Sequence, residues 1–312
     1  MNNSLYNLVT ILGPTASGKT RLAALLAAKV DGEVISADSR QVYRGMNLGT
    51  GKDYNDYIVK DRMIPCHLID IVDPGYEYNV YEYQRDFVRM FRDITARSKM
   101  PVLCGGSGLY LEAVLRGYRL IDVPKNRKLR ETLEEKSMHE LEEMLRRYKT
   151  LHNVTDTVDR KRLIRAIEIE SYYHAYPEIN VDYPKINALV VGIRYDRDTR
   201  RKRITERLQD RLEKGMVQEV KQLIDHGISP EKMIYYGLEY KYITLYLKGE
   251  LDYNEMVTGL NTAIHRFSKR QLTWFGRMER TGIKINWVDG LITDDIKLEK
   301  IMNWLRKGPS SE

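Results

Sequence analysis

The segment Gly13 to Thr20 constrains the fold of this chain more than any other feature. It reads Gly-Pro-Thr-Ala-Ser-Gly-Lys-Thr, follows the apolar run Leu8 to Leu12 and precedes a helical pattern from Arg21 to Val30. A strand, a glycine-rich loop ending in Lys-Thr and a helix form the context of a phosphate-binding P-loop. Glycines let backbone amides point at an anion, and the helix start adds its positive dipole end. The sequence therefore predicts a di- or triphosphate site.

Each residue of this loop is a candidate phosphate contact: Gly13, Pro14, Thr15, Ala16, Ser17, Gly18, Lys19 and Thr20. The Lys19 side chain supplies a mobile ammonium for the phosphates. The Thr20 hydroxyl is of the type that ligates Mg²⁺, so Mg²⁺ is the predicted cofactor and Thr20 the predicted metal ligand.

Apolar, β-branched runs alternate with helical patterns over much of the chain. Strands are predicted at Leu8 to Leu12, Glu33 to Ala37, His67 to Val72, Pro101 to Cys104 and Ala188 to Tyr195. This alternation predicts an α/β fold, a P-loop NTPase-like parallel sheet flanked by helices. Ligands of such sheets bind outside the carboxyl ends of the strands.

Residues 118–185 differ from the rest, because they carry charged helical patterns and lack apolar strand runs. We interpret them as an all-helical insertion. Residues 1–117 and 186–312 then form the α/β core, which ends in helices.

The composition excludes some classes and leaves others open. The chain has 312 residues, a net charge of +7 and two cysteines, Cys66 and Cys104, which we expect to be reduced core residues. It has neither a signal-peptide pattern nor a membrane-length apolar run, so a cytoplasmic protein without membrane contact is expected. The basic excess suits a polyanionic partner, although solvated helix faces explain it equally well.

Two further loops are predicted at the same sheet edge. Asp38, Ser39, Arg40 and Gln41 follow the second strand, where a carboxylate suits metal ligation, general-base work or a purely structural cap. The run Gly105 to Tyr110 follows another strand and opens a helix, so its amides and the Ser107 hydroxyl are candidate phosphate contacts.

Two basic helical stretches complete the set of candidates. Arg203 and Arg207 stand four residues apart and share a helix face, which could close over a diphosphate or simply be solvated. The run Lys269 to Arg277 has basic residues around Trp274 and Phe275. Its aromatic side chains could stack on bases or anchor a core.

Together these segments resemble the tRNA dimethylallyltransferase family, also called tRNA isopentenyltransferase, from about Val9 to Val288. The matching stretches, in order, are Gly13 to Thr20, Ser36 to Met46, His67 to Pro74, Gly105 to Tyr110, Arg162 to Glu168 and Lys269 to Phe275.

The resemblance implies transfer of a dimethylallyl group from dimethylallyl diphosphate to the exocyclic amine of the adenosine 3′-adjacent to the anticodon in tRNA. It implies that Asp38 is the general base, and that Lys19, Arg203, Ser107 and Mg²⁺ at Thr20 serve the diphosphate. It also implies a monomer and an insertion that contacts the anticodon stem-loop. The implied tRNA contacts are Asp38, Ser39, Arg40, Gln41, Lys161, Arg162, Leu163, Ile164 and Arg165, to which the basic stretch adds Lys269, Arg270 and Arg277.

Three alternatives remain open on the residues alone. A small-molecule P-loop kinase would share Gly13 to Thr20 but transfer a phosphoryl group from ATP. A prenyltransferase acting on free AMP would need neither the basic insertion nor the basic stretch near the C-terminus. An RNA-binding module could use its P-loop only as a nucleotide switch.

Overall fold

The computed structural model describes residues 6–148, 159–179 and 181–308. The chain divides into two compact units. The P-loop unit consists of Met1–Tyr118 with Pro184–Glu312, and the helical unit consists of Arg119–Tyr183. The predicted insertion, residues 118–185, thus begins one residue before the helical unit and ends two residues after it. Among the described helices, none is long and apolar enough to cross a membrane.

A six-stranded sheet forms the centre of the P-loop unit. In spatial order its strands are β5 (Cys66–His67), β2 (Gly32–Ala37), β6 (Met100–Gly105), β1 (Leu8–Leu12), β7 (Ala188–Arg194) and β8 (Asn286–Asp289). All neighbouring strands are parallel, which confirms the predicted α/β class. Leu12 pairs with Gly105 across β1 and β6, so the two glycine-rich loops leave the sheet side by side.

Helices and one small hairpin surround this sheet. The hairpin pairs β3 (Ile58–Val59) with β4 (Arg62–Met63) and follows a short 3₁₀ turn at Tyr54–Tyr57. The helices are α1 (Lys19–Lys29), α2 (Val80–Ala96), α3 (Gly108–Arg116), α7 (Arg197–Glu213), α8 (Met216–Asp225), α9 (Pro230–Tyr235), α10 (Leu238–Leu247), α11 (Tyr253–Arg280) and α12 (Asp294–Lys307).

Two apolar clusters cover the sheet. One contains Phe87 and Phe275, the other Leu22 and Ile301, all with side chains that are at most 5% exposed. Burial of each such side chain stabilises the fold by roughly 1.5–3 kcal/mol. Cys104 lies in the second cluster and Cys66 packs against it; both are free thiols, and burial raises the pKa of each to about 12.

The predicted strand from His67 to Val72 is wrong over most of its length. The strand β5 ends at His67, because Leu68 and Asp70 have φ angles of 62° and 53°. Left-handed residues turn the chain out of an extended conformation, so the apolar pattern of this segment does not continue the sheet. Only Val72 returns to a bridge, with Tyr43.

The helical unit contains α4 (Arg127–Glu134), α5 (Met138–Tyr148) and α6 (Arg160–Ala175), and its described residues form no strand. Seven buried residues form its apolar core: Leu133, Leu141, Leu145, Leu163, Ile164, Ala166 and Ile167. The helices pack because their leucines recur at helical spacing on facing sides.

Candidate active site

The P-loop connects the end of β1 to the start of α1. Ala16 and Gly18 adopt left-handed φ angles of 62° and 77°, a conformation that lets successive amides converge on an anion. A glycine fits at position 13, because a Cβ there would lie 2.6 Å from the Ser17 Oγ and 3.2 Å from the carbonyl oxygen of Ile193. That hydroxyl oxygen is buried and has no hydrogen-bond partner among the described residues. The loop therefore has the geometry of an anion cradle.

Two cations lie against this loop. The Lys19 Nζ is 3.4 Å from the carbonyl oxygen of Pro14, and burial lowers the pKa of Lys19. The Arg203 Nε donates to the carbonyl oxygen of Ala16 at 3.0 Å, and its guanidinium stacks on Tyr195 at 4.8 Å. The predicted diphosphate ligands Lys19 and Arg203 thus both contact the P-loop backbone.

Arg203 belongs to a row of arginines on α7. Arg207 and Arg211 follow at intervals of four residues and share its helix face. Arg207 donates to Asp53 at 2.5 Å. Arg211 is 8% exposed, and its Nη2 is buried with no hydrogen bond to any described residue. Burial and the neighbouring Arg207 lower the pKa of Arg211 to about 10, so this cation lacks full compensation.

The loop after β2 brings Asp38 next to the second glycine-rich loop. Asp38 Oδ1 accepts the N–H of Arg40 at 2.9 Å, which orients the carboxylate. Ser107 Oγ accepts the N–H of Ser39 at 3.0 Å. The Gln41 Nε2 donates to the carbonyl oxygen of Gly51 at 3.0 Å. The bond between Ser39 and Ser107 joins the two predicted loops at one sheet edge.

A single cavity of about 1030 Å³ joins most of these groups. It is lined by the following candidates from the sequence: Thr15, Ala16, Ser17, Gly18, Lys19, Thr20, Asp38, Ser39, Arg40, Gln41, Ser107, Arg203 and Arg270. Gly13 and Pro14 are buried behind it. Small-molecule sites span roughly 300–1,000 Å³, so this cavity has room for a diphosphate and a second reactant.

A magnesium site at Thr20 is compatible with this donor set. No group of three or more His, Cys, Asp or Glu side chains within residues 6–148, 159–179 and 181–308 could hold a metal by itself. Magnesium often takes only one or two protein ligands and completes its shell with substrate phosphates and water. Thr20 lines the cavity at the cradle, where a diphosphate could supply those oxygens.

The predicted contact segment 161–165 lies on α6 of the helical unit. Leu163 and Ile164 are 0% and 3% exposed, so their side chains offer no surface to RNA. Their apolar side chains belong to the core of this unit. Arg165 donates to Glu168 at 2.5 Å, whereas Lys161 and Arg162 are exposed. The exposed basic surface of this segment is thus narrower than its sequence indicated.

The stretch from Lys269 to Arg277 belongs to α11, and only part of it faces solvent. Lys269 and Arg270 are exposed, while Phe275 is fully buried. The Trp274 Nε1 donates to Glu112 at 2.9 Å, and Arg277 Nη2 donates to the same carboxylate at 3.1 Å. The core alternative therefore holds for Phe275, and Trp274 and Arg277 anchor the helix to α3.

Several residues of the site escaped the sequence reasoning. Gln271 hydrogen-bonds both glycine-rich loops, and Glu239 lines the cavity with its pKa raised by burial. Glu219 accepts the backbone N–H groups of Asn47, Leu48 and Gly49 at 2.7–3.1 Å. All three are common residue types on helices, and no local pattern marks them as part of a site.

The chain matches two family models. The model described as IPP transferase covers residues 41–278, and the model described as Isopentenyl transferase covers residues 6–70. The tRNA dimethylallyltransferase 2 of Bacteroides fragilis is 57% identical over 302 residues, which cover 97% of this chain and 99% of that protein. The tRNA dimethylallyltransferase 1 of Parabacteroides distasonis is 56% identical over 301 residues, covering 96% and 98%.

Solved structures show the same similarity. The full-length tRNA isopentenylpyrophosphate transferase of Bacillus halodurans has a TM-score of 0.69 and 33% identity, and covers 95% of this chain and 94% of its own. A eukaryotic dimethylallyltransferase acting on tRNA has a TM-score of 0.80 at 21% identity, which supports the fold alone; it covers 98% of this chain and 81% of its own. Since the matches span nearly the whole sequence, the chain belongs to the IPP transferase family, the prenyltransferases known as tRNA dimethylallyltransferases.

Proposed function

We propose that this protein transfers a dimethylallyl group from dimethylallyl diphosphate to the exocyclic amine of the adenosine 3′-adjacent to the anticodon in tRNA. The products are isopentenyladenosine and diphosphate. The observation that carries this proposal is the shared cavity, which is lined by the Asp38 carboxylate and by two cations, Lys19 of the P-loop and Arg203 of α7. The anion cradle alone would fit a kinase equally well. The carboxylate beside it additionally fits the reaction of an amine, which must lose a proton.

The amine nitrogen attacks the first carbon of the allyl group while the carbon–oxygen bond breaks. The electron pair of that bond leaves with the diphosphate, and the amine proton passes to the Asp38 carboxylate. Asp38 Oδ1 accepts the N–H of Arg40, and the carboxylate keeps free lone pairs that can take this proton. General-base assistance of this kind contributes typically ~10²–10⁴-fold.

The leaving diphosphate gathers negative charge, which the cradle is built to stabilise. Lys19, Arg203 and the P-loop amides supply fixed positive charge and donors in a partly buried site, where such interactions are strong. Thr20 would hold Mg²⁺, which when bound adds positive charge beside the diphosphate oxygens. We expect the Ser107 hydroxyl to contact the diphosphate as well as the Ser39 backbone.

The RNA partner is the anticodon stem-loop. An adenine must leave its stack to reach a cavity, as bases do in other base-modifying enzymes. Exposed cations of both units, together with the net charge of +7, suit the phosphate backbone. The candidate basic contacts are Arg40, Lys161, Arg162, Lys269 and Arg270. We expect a cytoplasmic monomer.

The test is a prenylation assay with three acceptors. Purified protein is incubated with labelled dimethylallyl diphosphate and Mg²⁺ in three separate reactions. The first contains an anticodon stem-loop RNA, the second free AMP, and the third ATP plus small-molecule acceptors. The products are identified by mass spectrometry. Isopentenyladenosine in the RNA supports the proposal. Prenylated AMP without modified RNA would identify an AMP prenyltransferase. Phosphoryl transfer from ATP without prenylation would identify a kinase.

A further inference from the structure

The side chain of Gln271 bridges the two glycine-rich loops at the cavity. Its Oε1 accepts the N–H of Thr15 at 2.9 Å, and its Nε2 donates to the carbonyl oxygen of Gly106 at 2.9 Å. The side chain belongs to α11, 256 residues away from Thr15 along the chain, and Gln271 is only 7% exposed. A buried carboxamide that uses both its acceptor and its donor holds two backbones at a set distance.

The packing around this bridge leaves little freedom. A Cβ on Gly106 would lie 2.5 Å from the Gln271 Nε2 and 3.1 Å from the carbonyl oxygen of Gly13. The same Cβ would lie 3.6 Å from the Lys19 side chain. The Gln271 side chain therefore lies next to the anion cradle. A shorter or longer side chain at this position would change the distance between the cradle and the second glycine-rich loop.

The helix that carries Gln271 is itself anchored on the second loop. Trp274 packs on Gly108, where a Cβ would come within 2.4 Å of the indole, and it also donates to Glu112. Phe275 is fully buried. These contacts flank Gln271 on its C-terminal side and fix the position from which its side chain reaches the P-loop.

We infer that Gln271 is a positioning residue for the diphosphate site, acting through Thr15 and Gly106. It sets the spacing between the cradle and the loop that carries Ser107, so that both can contact one diphosphate. The identity of this ligand rests on the proposed function. The role differs from the RNA contact that the basic residues of the same stretch suggest, because Gln271 is buried and both its polar groups are used inside the protein.

The first test is Gln271→Glu, which keeps the acceptor for Thr15 but replaces the donor to Gly106 with an oxygen. We expect the Kd for inorganic diphosphate with Mg²⁺, measured by calorimetry, to rise about tenfold or more, because two oxygens then face each other. The KM for dimethylallyl diphosphate should rise in parallel, while the KM for stem-loop RNA changes less than about twofold. The matched control is Gln218→Glu, the same change at an exposed position of α8.

Acid should partly restore this variant. A protonated glutamic acid can again donate to Gly106, so the diphosphate affinity of Gln271→Glu relative to the unaltered protein should rise as pH falls from about 8 to about 6. The second variant, Gln271→Met, removes both hydrogen bonds without adding charge and should show the same tenfold loss without pH recovery. Thermal unfolding establishes that each variant is folded.

Three results would overturn the inference. They are unchanged diphosphate affinity in both variants, weaker RNA binding with unchanged diphosphate affinity, and an equal loss for both ligands. Calorimetry with inorganic diphosphate requires no prenyl transfer. If both Gln271 variants lose diphosphate affinity as expected but the unaltered protein leaves RNA unmodified, the proposed function fails while this inference stands.

Discussion

Glu168 in the helical unit and Arg211 in the P-loop unit are both buried charged residues, but their surroundings differ. In the helical unit, Glu168 is 2% exposed and accepts from Arg130 at 2.7 Å, from Arg165 at 2.5 Å and from the N–H of Asn126 at 2.6 Å. In the P-loop unit, Arg211 is nearly as buried, but its Nη2 has no hydrogen bond within the described chain.

The difference shows how to interpret the basic runs of α6 and α7, which look alike in the sequence. A buried charge without a partner lowers stability, so a fold normally pairs it. Arg165 follows that rule and holds its own unit together. Arg211 and Lys19 line a cavity and are paired less closely: the Asp53 carboxylate lies 3.7 Å from Arg211 Nη2, and the Lys19 Nζ contacts the carbonyl oxygen of Pro14 at 3.4 Å. Basic residues of the first kind support structure, and those of the second kind are candidates for ligand binding.

The largest effect is expected at Asp38. The Asp38→Asn variant should lose about 10²–10⁴-fold in kcat for RNA prenylation, because the amide cannot accept the proton. Its Oδ1 still accepts the N–H of Arg40, so RNA affinity and stability should stay close to normal. Single-turnover kinetics measure the first quantity and filter binding the second. The control is Asp295→Asn on the exposed face of α12, and near-normal turnover of Asp38→Asn would remove it as the base.

In the helical unit the expected loss is in stability. Glu168→Gln removes the charge that pairs with Arg130 and Arg165; because side chains of both arginines are partly exposed, at 34% and 38%, we expect a loss of about 1–3 kcal/mol. Urea unfolding followed by circular dichroism gives the change, and diphosphate affinity of the folded variant should be unaffected. Glu143→Gln, at an exposed position of α5, should cost less than about 0.5 kcal/mol. Equal stability of the two variants would contradict the assigned role.

The same carboxylate should make stability depend on pH. Burial opposes its ionisation, but the hydrogen bonds from Arg130, Arg165 and Asn126 lower the pKa of Glu168 to about 2. A folded-state pKa below that of the unfolded chain, roughly 4.3, contributes stability that is present above pH 4.3 and is lost as pH falls toward 2. Unfolding in urea between pH 5 and pH 2.5 should therefore depend less steeply on pH in Glu168→Gln. An unchanged slope would show that Glu168 has an ordinary pKa.

The smallest expected effect concerns RNA binding, and it distinguishes the exposed Lys161 from the paired Arg165 on α6. Lys161→Ala should weaken stem-loop RNA binding modestly and reduce the slope of log Kd against log salt by about one. Arg165→Ala should instead lower the stability of the protein, because Arg165 pairs with buried Glu168. Filter binding from about 50 to 200 mM salt and thermal unfolding distinguish the two. A flattened slope for Arg165→Ala at normal stability would reverse this assignment.

Much of the fold is encoded in local patterns, and these were sufficient for prediction. The strand Leu8–Leu12 and the helix Gly108–Arg116 lie where hydrophobic runs and flanking glycines indicate. The short strand Asn286–Asp289 and the helix Pro230–Tyr235 were not predicted, because four to six residues carry too little periodicity.

By itself, the sequence determined the parallel α/β class, the position of the P-loop and the family to which the chain belongs. These depend on residues that are neighbours along the chain, so a spacing rule suffices. Tertiary structure decided which polar groups became partners: Gln271 with Thr15, Arg165 with Glu168, and Arg211 with no hydrogen-bond partner for its Nη2 among the described residues. A partner on another element depends on how whole helices pack, and packing is a property of the assembled core rather than of any short segment.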